Sequence, residues 1–246
     1  MWFLKPELSF NMQLFYNPAI AEEANTFVFN KEESKHIIKV LRKKEGDVLH
    51  VTNGLGTLFS TEITIASDNK CTVKINSFEK QEAQPYHLHL AVAPTKMNER
   101  YEWFLEKATE IGIQEITPII CEHSERKVIK IDRFQKIVES AMKQSLHYSL
   151  PKLNEPQTFK EFVTAQKTTQ RFIAHCDETD KRSFKNELQT NQDVLILIGP
   201  EGDFSVKEIQ LALEHHFIPV SLGSTRLRTE TAAVVACHSV VFKNEA

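Results

Sequence analysis

From residue 87 onward, strand-like and helix-like stretches alternate, and nothing else in the chain limits its fold as strongly. "HLHLAVA", "EITPIIC", "RFIAHC", "DVLILIG" and "FIPVSLG" read as strands. "NERYEWFLEKATEIG", "DRFQKIVESAMKQSL", "TFKEFVTAQK", "SVKEIQLALEHH" and a segment running to the C-terminus read as helices. Such alternation predicts a parallel sheet covered by helices. In the first of these helices Tyr101, Phe104, Leu105, Ala108 and Ile111 share one face and read as a stripe facing the core.

Residues 12–84 follow another rule. "QLFY", "TFVF", "DVLHVT", "GTLFSTEITIA" and "CTVKINSFE" are strands separated by turn signals such as "NGLG" and "SDNK", which predicts a small, mostly β module. "SKHIIKVLRKKEG" interrupts it as a short helix closed by Gly46, with Ile37, Ile38 and Leu41 on one face. The polar "KQEAQPY" is the natural linker and puts the boundary near Pro85, giving domains 12–84 and 85–246. Because Met12 directly precedes the first strand, residues 1–11 are read as an N-terminal extension.

Bulk properties exclude several functions. A formal net charge of -3 gives no global attraction to nucleic acid, so contact with phosphates requires local basic patches. Cys71, Cys121, Cys176 and Cys237 are scattered, with no C-x-x-C pair and no matching histidines; this argues against a zinc site or a disulfide framework and for reduced, buried thiols. No apolar run approaches a membrane span and the N-terminal residues make no signal h-region, so a cytoplasmic location is expected.

Two loops concentrate the chemistry. "DVLILIGPEGDFSVKEI" is a buried strand, a glycine-bearing loop and a helix start whose capping box is Ser205 and Glu208, with Phe204 and Ile209 as a hydrophobic staple. The loop therefore lies at the C-terminal end of a parallel strand, where open α/β sheets bind ligands. It is neither G-x-G-x-x-G nor a P-loop, which disfavours dinucleotide and nucleoside triphosphate sites. "SLGSTRLRTETAA" follows the next strand, so two adjacent strand ends are expected to make one pocket. Thr229 reads as an N-cap, and Glu230 suits the first turn of a helix. Arg226 and Arg228 do not, since a cation beside a helix N-terminus needs a carboxylate or an anionic ligand opposite it.

"LILIGPEGDFS" and "LGSTRLRTETAA" near the C-terminus, preceded along the chain by "HIIKVLR" in the small module and "EKATEIGI" in the first helix of the second domain, resemble the RsmE family of the SPOUT superfamily of RNA methyltransferases. The likeness runs from Met12 nearly to the end. It implies a SPOUT-type trefoil-knotted α/β parallel-sheet domain, a PUA-like RNA-binding β-barrel before it, and a homodimer. The implied reaction is methylation of N3 of a uridine in 16S ribosomal RNA, with S-adenosylmethionine as donor and no metal, the RNA being within the assembling small subunit. Leu197, Ile198, Gly199, Glu201 and Gly202 would line one side of the donor site, and Leu222, Gly223, Leu227, Arg228, Thr229 and Ala232 the other. Where the resembled pattern has a second glycine this chain has Asp203, which predicts a less flexible loop.

Methyl transfer to N3 requires removal of a proton while negative charge spreads to the flanking oxygens. That chemistry assigns Arg228 to charge stabilisation, and Glu230 to accepting the proton or orienting its acceptor, or else to a structural cap. For gripping RNA the candidates are His36, Lys39, Arg42 and Lys43 in the first module, and Arg126 and Arg226 in the second. Two alternatives stay open: a non-catalytic RNA-binding assembly factor, and a SPOUT enzyme acting on another RNA.

Overall fold

A computed structural model describes residues 12–175 and 181–245, in two compact units. Cys176 and the extension of residues 1–11 lie outside the described residues. Among the described residues no helix is long and apolar enough to cross a membrane.

The first unit holds residues up to 83 together with 142–150. Its strands are β1 (Leu14–Tyr16), β2 (Thr26–Val28), β3 (Val48–Thr52), β4 (Thr57–Ile65) and β5 (Thr72–Lys80), in the spatial order β1-β3-β4-β5-β2. Only β1 and β3 pair in parallel, and shifts in the β4–β5 register at Ser60/Thr61 and Ile63/Ile65 bend the ribbon. Alternation puts Leu49 and Val51 of β3, Phe59 and Ile63 of β4 and Val73 of β5 into one core with Phe15, Phe29 and Ile37. The segment 142–150 belongs here because backbone groups need partners: Tyr148 carbonyl accepts from the Thr52 hydroxyl at 2.6 Å and from Gly56 N–H at 3.0 Å. Gly54 cannot be replaced at this junction, since it has φ +76 and a Cβ would stand 2.7 Å from the Tyr16 ring.

The helix expected from Ser34 to Gly46 differs at both ends. α1 (Lys31–Lys35) begins earlier, because Asn30 caps it by accepting from Glu33 N–H at 2.9 Å. It runs into a π-helical turn, His36–Val40, and Arg42 at φ 56 ends the coil before Gly46 is reached. Ile37 is thereby buried, whereas His36, Lys39 and Arg42 stay exposed.

The second unit holds residues 84–141 and 151 onward. Along the chain come β6 (Leu88–Val92), α2 (Asn98–Ile111), β7 (Glu115–Ile120), α3 (Ile131–Gln144), β8 (Lys152–Leu153), β9 (Gln157–Thr158), α4 (Phe159–Ala165), β10 (Gln170–Ala174), β11 (Arg182–Ser183), α5 (Phe184–Glu187), β12 (Val194–Ile198), α6 (Val206–Glu214), β13 (Ile218–Ser221) and α7 (Thr229–Glu245). The main sheet runs β11-β13-β10-β12-β6-β7-β8, with β9 also on β7, and every pair is parallel. β12, "VLILI", is buried at all five positions, as a central parallel strand must be. On one face Leu195 and Leu197 pack with Phe159, Phe162, Ile209 and Ala212 of α4 and α6. On the other α2 and α7 lie together, where the Cys237 thiol meets the Ala108 carbonyl at 3.8 Å. Gly112 at φ 104 closes α2, its N–H reaching back to the Ala108 and Thr109 carbonyls. Cys71, Cys121 and Cys237 are buried free thiols, each pushed up in pKa by burial.

Candidate functional site

All strands of the main sheet point the same way, so the loops after β12 and β13 leave from one edge. The two strands are not adjacent: β10 pairs with both and lies between them. The expected pocket of two neighbouring strand ends is therefore a cleft across three, with Ala174 of β10 in its floor. It has a volume of about 370 Å³, within the range of small-molecule sites.

The β12 loop contributes Ile198, Gly199, Pro200, Glu201 and Asp203 to the cleft. Its shape comes from local packing. A Cβ on Gly199 would stand 3.1 Å from the Phe204 ring, and one on Gly202 3.2 Å from His123 Cβ. The glycines thus let the loop approach its own protein closely. Asp203 takes φ 63, a left-handed conformation that Asp tolerates better than most residues, and its carboxylate accepts from Phe204 N–H at 2.9 Å. Next comes the predicted capping box: Ser205 accepts from Glu208 N–H while Glu208 accepts from Ser205 N–H at 2.9 Å. The other oxygen of Glu208 accepts from Glu122 N–H, also at 2.9 Å, tying the β7 loop to α6. Phe204 and Ile209 both lie in the adjoining core, as the staple requires.

From the opposite side come Arg226, Leu227, Arg228, Thr229 and Ala232. Thr229 is the first residue of α7 and not its N-cap, because its hydroxyl is drawn across the cleft to donate to the Gly199 carbonyl at 3.0 Å. One hydrogen bond thus joins the two loops.

Of the expected donor-site residues, Ile198, Gly199, Glu201, Leu227, Arg228, Thr229 and Ala232 line the cleft, as does Arg226. Leu197 does not: neighbouring residues in a strand face opposite ways, and it is fully buried in the core against α4 and α6. Gly202, Leu222 and Gly223 are also outside the lining, and Glu201 accepts from Lys96 N–H at 3.0 Å. Glu230 is buried behind the wall, its Oε1 3.8 Å from Arg100 Nε. Arg126 donates to the Thr95 and Lys96 carbonyls at 3.2 and 2.7 Å, so that guanidinium secures a loop. Lys39 pairs with Asp68 at 3.3 Å on an exposed surface, a contact of little energy.

Arg100 also lines the cleft, although the sequence marks α2 by its apolar stripe and its "EKATEIGI" segment and not by this cation. The signal is related to the one that singles out Arg226 and Arg228: those two just precede α7 and Arg100 sits in the first turn of α2, in each case a cation at a helix start, where the dipole disfavours it.

A cleft of glycine-bearing loops at the carboxyl edge of a parallel sheet, ringed by guanidinium groups, defines a class. The family model for an RNA methyltransferase domain matches residues 82–241, and that for an RNA methyltransferase PUA domain matches residues 29–76. Ribosomal RNA small subunit methyltransferase E of Buchnera aphidicola subsp. Acyrthosiphon pisum is 34% identical over 225 residues, covering 87% of each chain. The protein of that name from Bacillus subtilis is 25% identical over 241 residues, 91% of this chain and 93% of its own. Among solved structures, a probable rRNA-methyltransferase of Porphyromonas gingivalis is 43% identical with a TM-score of 0.84, covering 92% of this chain and 95% of that one. A methyltransferase of Legionella pneumophila in complex with S-adenosylmethionine is 30% identical, TM-score 0.84, covering 95% and 98%. The chain belongs to the RNA methyltransferase family, in its small-subunit methyltransferase E (RsmE) branch.

Proposed function

We propose that this protein transfers a methyl group from S-adenosylmethionine to N3 of a uridine in 16S ribosomal RNA. The observation that carries the reading is the Thr229–Gly199 hydrogen bond, which closes the β12 and β13 loops into one cleft with apolar and guanidinium walls. The donor set fits S-adenosylmethionine: Ile198, Pro200, Leu227 and Ala232 offer apolar surface for an adenine, and Glu201 and Asp203 offer acceptors for hydroxyl and ammonium groups. Bound there, that molecule supplies an electrophilic methyl group on a sulfonium.

The protein's part is positioning and electrostatics. N3 of uracil gives up its proton to water as it gains the methyl, and charge spreads onto the flanking oxygens; Arg228, exposed at the mouth of the cleft, opposes that charge on this reading. Burial of Glu230 behind Arg100 favours its orienting role over direct proton transfer. His36, Lys39, Arg42 and Lys43 on and after the π-helical turn, with Arg226 at the cleft, grip the RNA backbone on this reading. A homodimer working in the cytoplasm on the assembling small subunit completes the proposal. Phe242, 65% exposed on α7 with His238 stacked on it, is apolar surface suited to a second copy.

The test is titration with S-adenosylhomocysteine followed by methylation of unmodified 16S RNA and nucleoside mass spectrometry. N3-methyluridine is the expected product. Cofactor binding without any methylated nucleoside would leave a non-catalytic RNA-binding factor or an enzyme for another RNA, and a methylated ribose would make a ribose hydroxyl, not N3, the acceptor.

A further inference from the structure

Glu230 is an odd candidate for a proton acceptor. A base must touch the proton it removes, yet the side chain of Glu230 is 9% exposed and does not line the cleft. Its Oε2 is buried and accepts no hydrogen bond among the described residues. An unpartnered buried carboxylate oxygen is costly to keep unless a cation faces it. Within the described residues that cation is Arg100, whose Nε stands 3.8 Å from Oε1.

Arg100 is equally unusual. Its side chain is 38% exposed, lines the cleft and makes no hydrogen bond within the described residues. Arg126 and Arg133 of the same unit are engaged in another way: Arg126 holds two carbonyls, and Arg133 grips Glu102 at 2.6 and 2.9 Å. Arg100 also occupies the first turn of α2, where the helix opposes its charge. A guanidinium placed against its own helix dipole, held on one side by a buried carboxylate and open to a cleft on the other, is built to receive an anion.

We infer that Glu230 is a positioning residue that holds Arg100 against an oxyanion of the bound reactants, and that Arg100 is a further binding or catalytic residue of the cleft. The inference rests on the methyltransferase reading above. Two oxyanions qualify: the carboxylate of the methyl donor, and the uracil oxygen on which charge develops.

The experiment is a double-mutant cycle with Arg100→Ala, Glu230→Gln and both together, plus Arg100→Lys, each checked for an unchanged fold by thermal melting. Affinities for S-adenosylhomocysteine and for methylthioadenosine, which lacks the carboxylate, are measured by calorimetry, and kcat on 16S RNA at saturating donor. Arg100→Ala and Glu230→Gln are each expected to lose about ten- to a hundredfold in one of these quantities, the double variant to be no worse than Arg100→Ala, and Arg100→Lys to recover part of the loss. A loss confined to S-adenosylhomocysteine affinity assigns the anion to the donor carboxylate; a loss confined to kcat assigns it to the uracil. If Glu230→Gln lowers kcat as much without Arg100 as with it, or if either single variant behaves as wild type, the pairing is wrong. Wild-type protein that binds no S-adenosylhomocysteine would instead overturn the reading of the cleft itself.

Discussion

Thr229 and Gly199 carry the tightest residue-level constraint, since one hydroxyl joins two loops that are far apart in sequence. Thr229→Val keeps the shape but strips the buried Gly199 carbonyl of its donor, a cost of about 1–3 kcal/mol. A lower melting temperature together with weaker S-adenosylhomocysteine binding by calorimetry is the expected outcome. Gly199→Ala forces a methyl to 3.1 Å from the buried Phe204 ring, so the loop or the ring must move, and donor affinity falls while the capping box below it persists. Much of this was legible in the residues: the capping box needs only four consecutive positions, and the arginines stood out by charge against a helix start. The Thr229–Gly199 bond was not, because a threonine before a helix reads as a cap until a carbonyl from another loop is seen competing for its hydroxyl. Arg100 was missed because the apolar stripe explained its helix sufficiently.

At the scale of elements, the amino edge of the main sheet holds a polar network that governs acid stability. Glu115 at the start of β7 meets His87 at 2.9 Å, Lys152 at 3.0 Å and Asn154 at 2.7 Å, and the His87 hydrogen bond leads the causes that hold its carboxyl well below the usual range. Burial pulls His89 down to about 4 from 6.5. The unfolded chain protonates His89 near 6.5 and the folded chain only near 4, so stability falls as pH drops through that window, by on the order of 3 kcal/mol. The stabilisation from Glu115 is complete above its unfolded value and is lost on further acidification. His89→Gln should flatten the decline in melting temperature between pH 6.5 and 4.5; an unchanged slope would remove His89 as its cause. In the first unit, Arg42 holds a left-handed φ of 56 that glycine adopts freely. Arg42→Gly is expected to leave the melting temperature equal or higher while weakening RNA binding in a filter or anisotropy assay. The long periodic helices and the longer strands β6, β7, β10, β12 and β13 were readable from pattern alone, whereas the two-residue strands β8, β9 and β11 and the single-turn α5 are too short to carry a period. The π-helical turn was not, since it obeys neither helical nor strand period and arises from burying Ile37 on one side while Arg42 turns the chain.

For the molecule as a whole, a net charge of -3 means that any RNA affinity comes from local patches, so it should fall steeply with salt. Replacing Arg42 and Lys43 together with Ala should reduce the slope of log affinity against log salt by about one to two, measured by titration from low to moderate ionic strength. The division between a β module and an alternating α/β unit was written in the change of rhythm near Pro85, whereas the membership of 142–150 in the first unit depends on backbone partners no local pattern announces. The strand order, with β10 inserted between the two loop-bearing strands, likewise follows from connectivity that periodicity does not encode. The most direct measurement of the central claim is nucleoside mass spectrometry of 16S RNA lacking the modification after incubation with this protein and S-adenosylmethionine. N3-methyluridine formed by the wild type and lost in the Arg228→Ala variant is the predicted result; no N3-methyluridine from the wild type, or the same amount from the variant, contradicts the account.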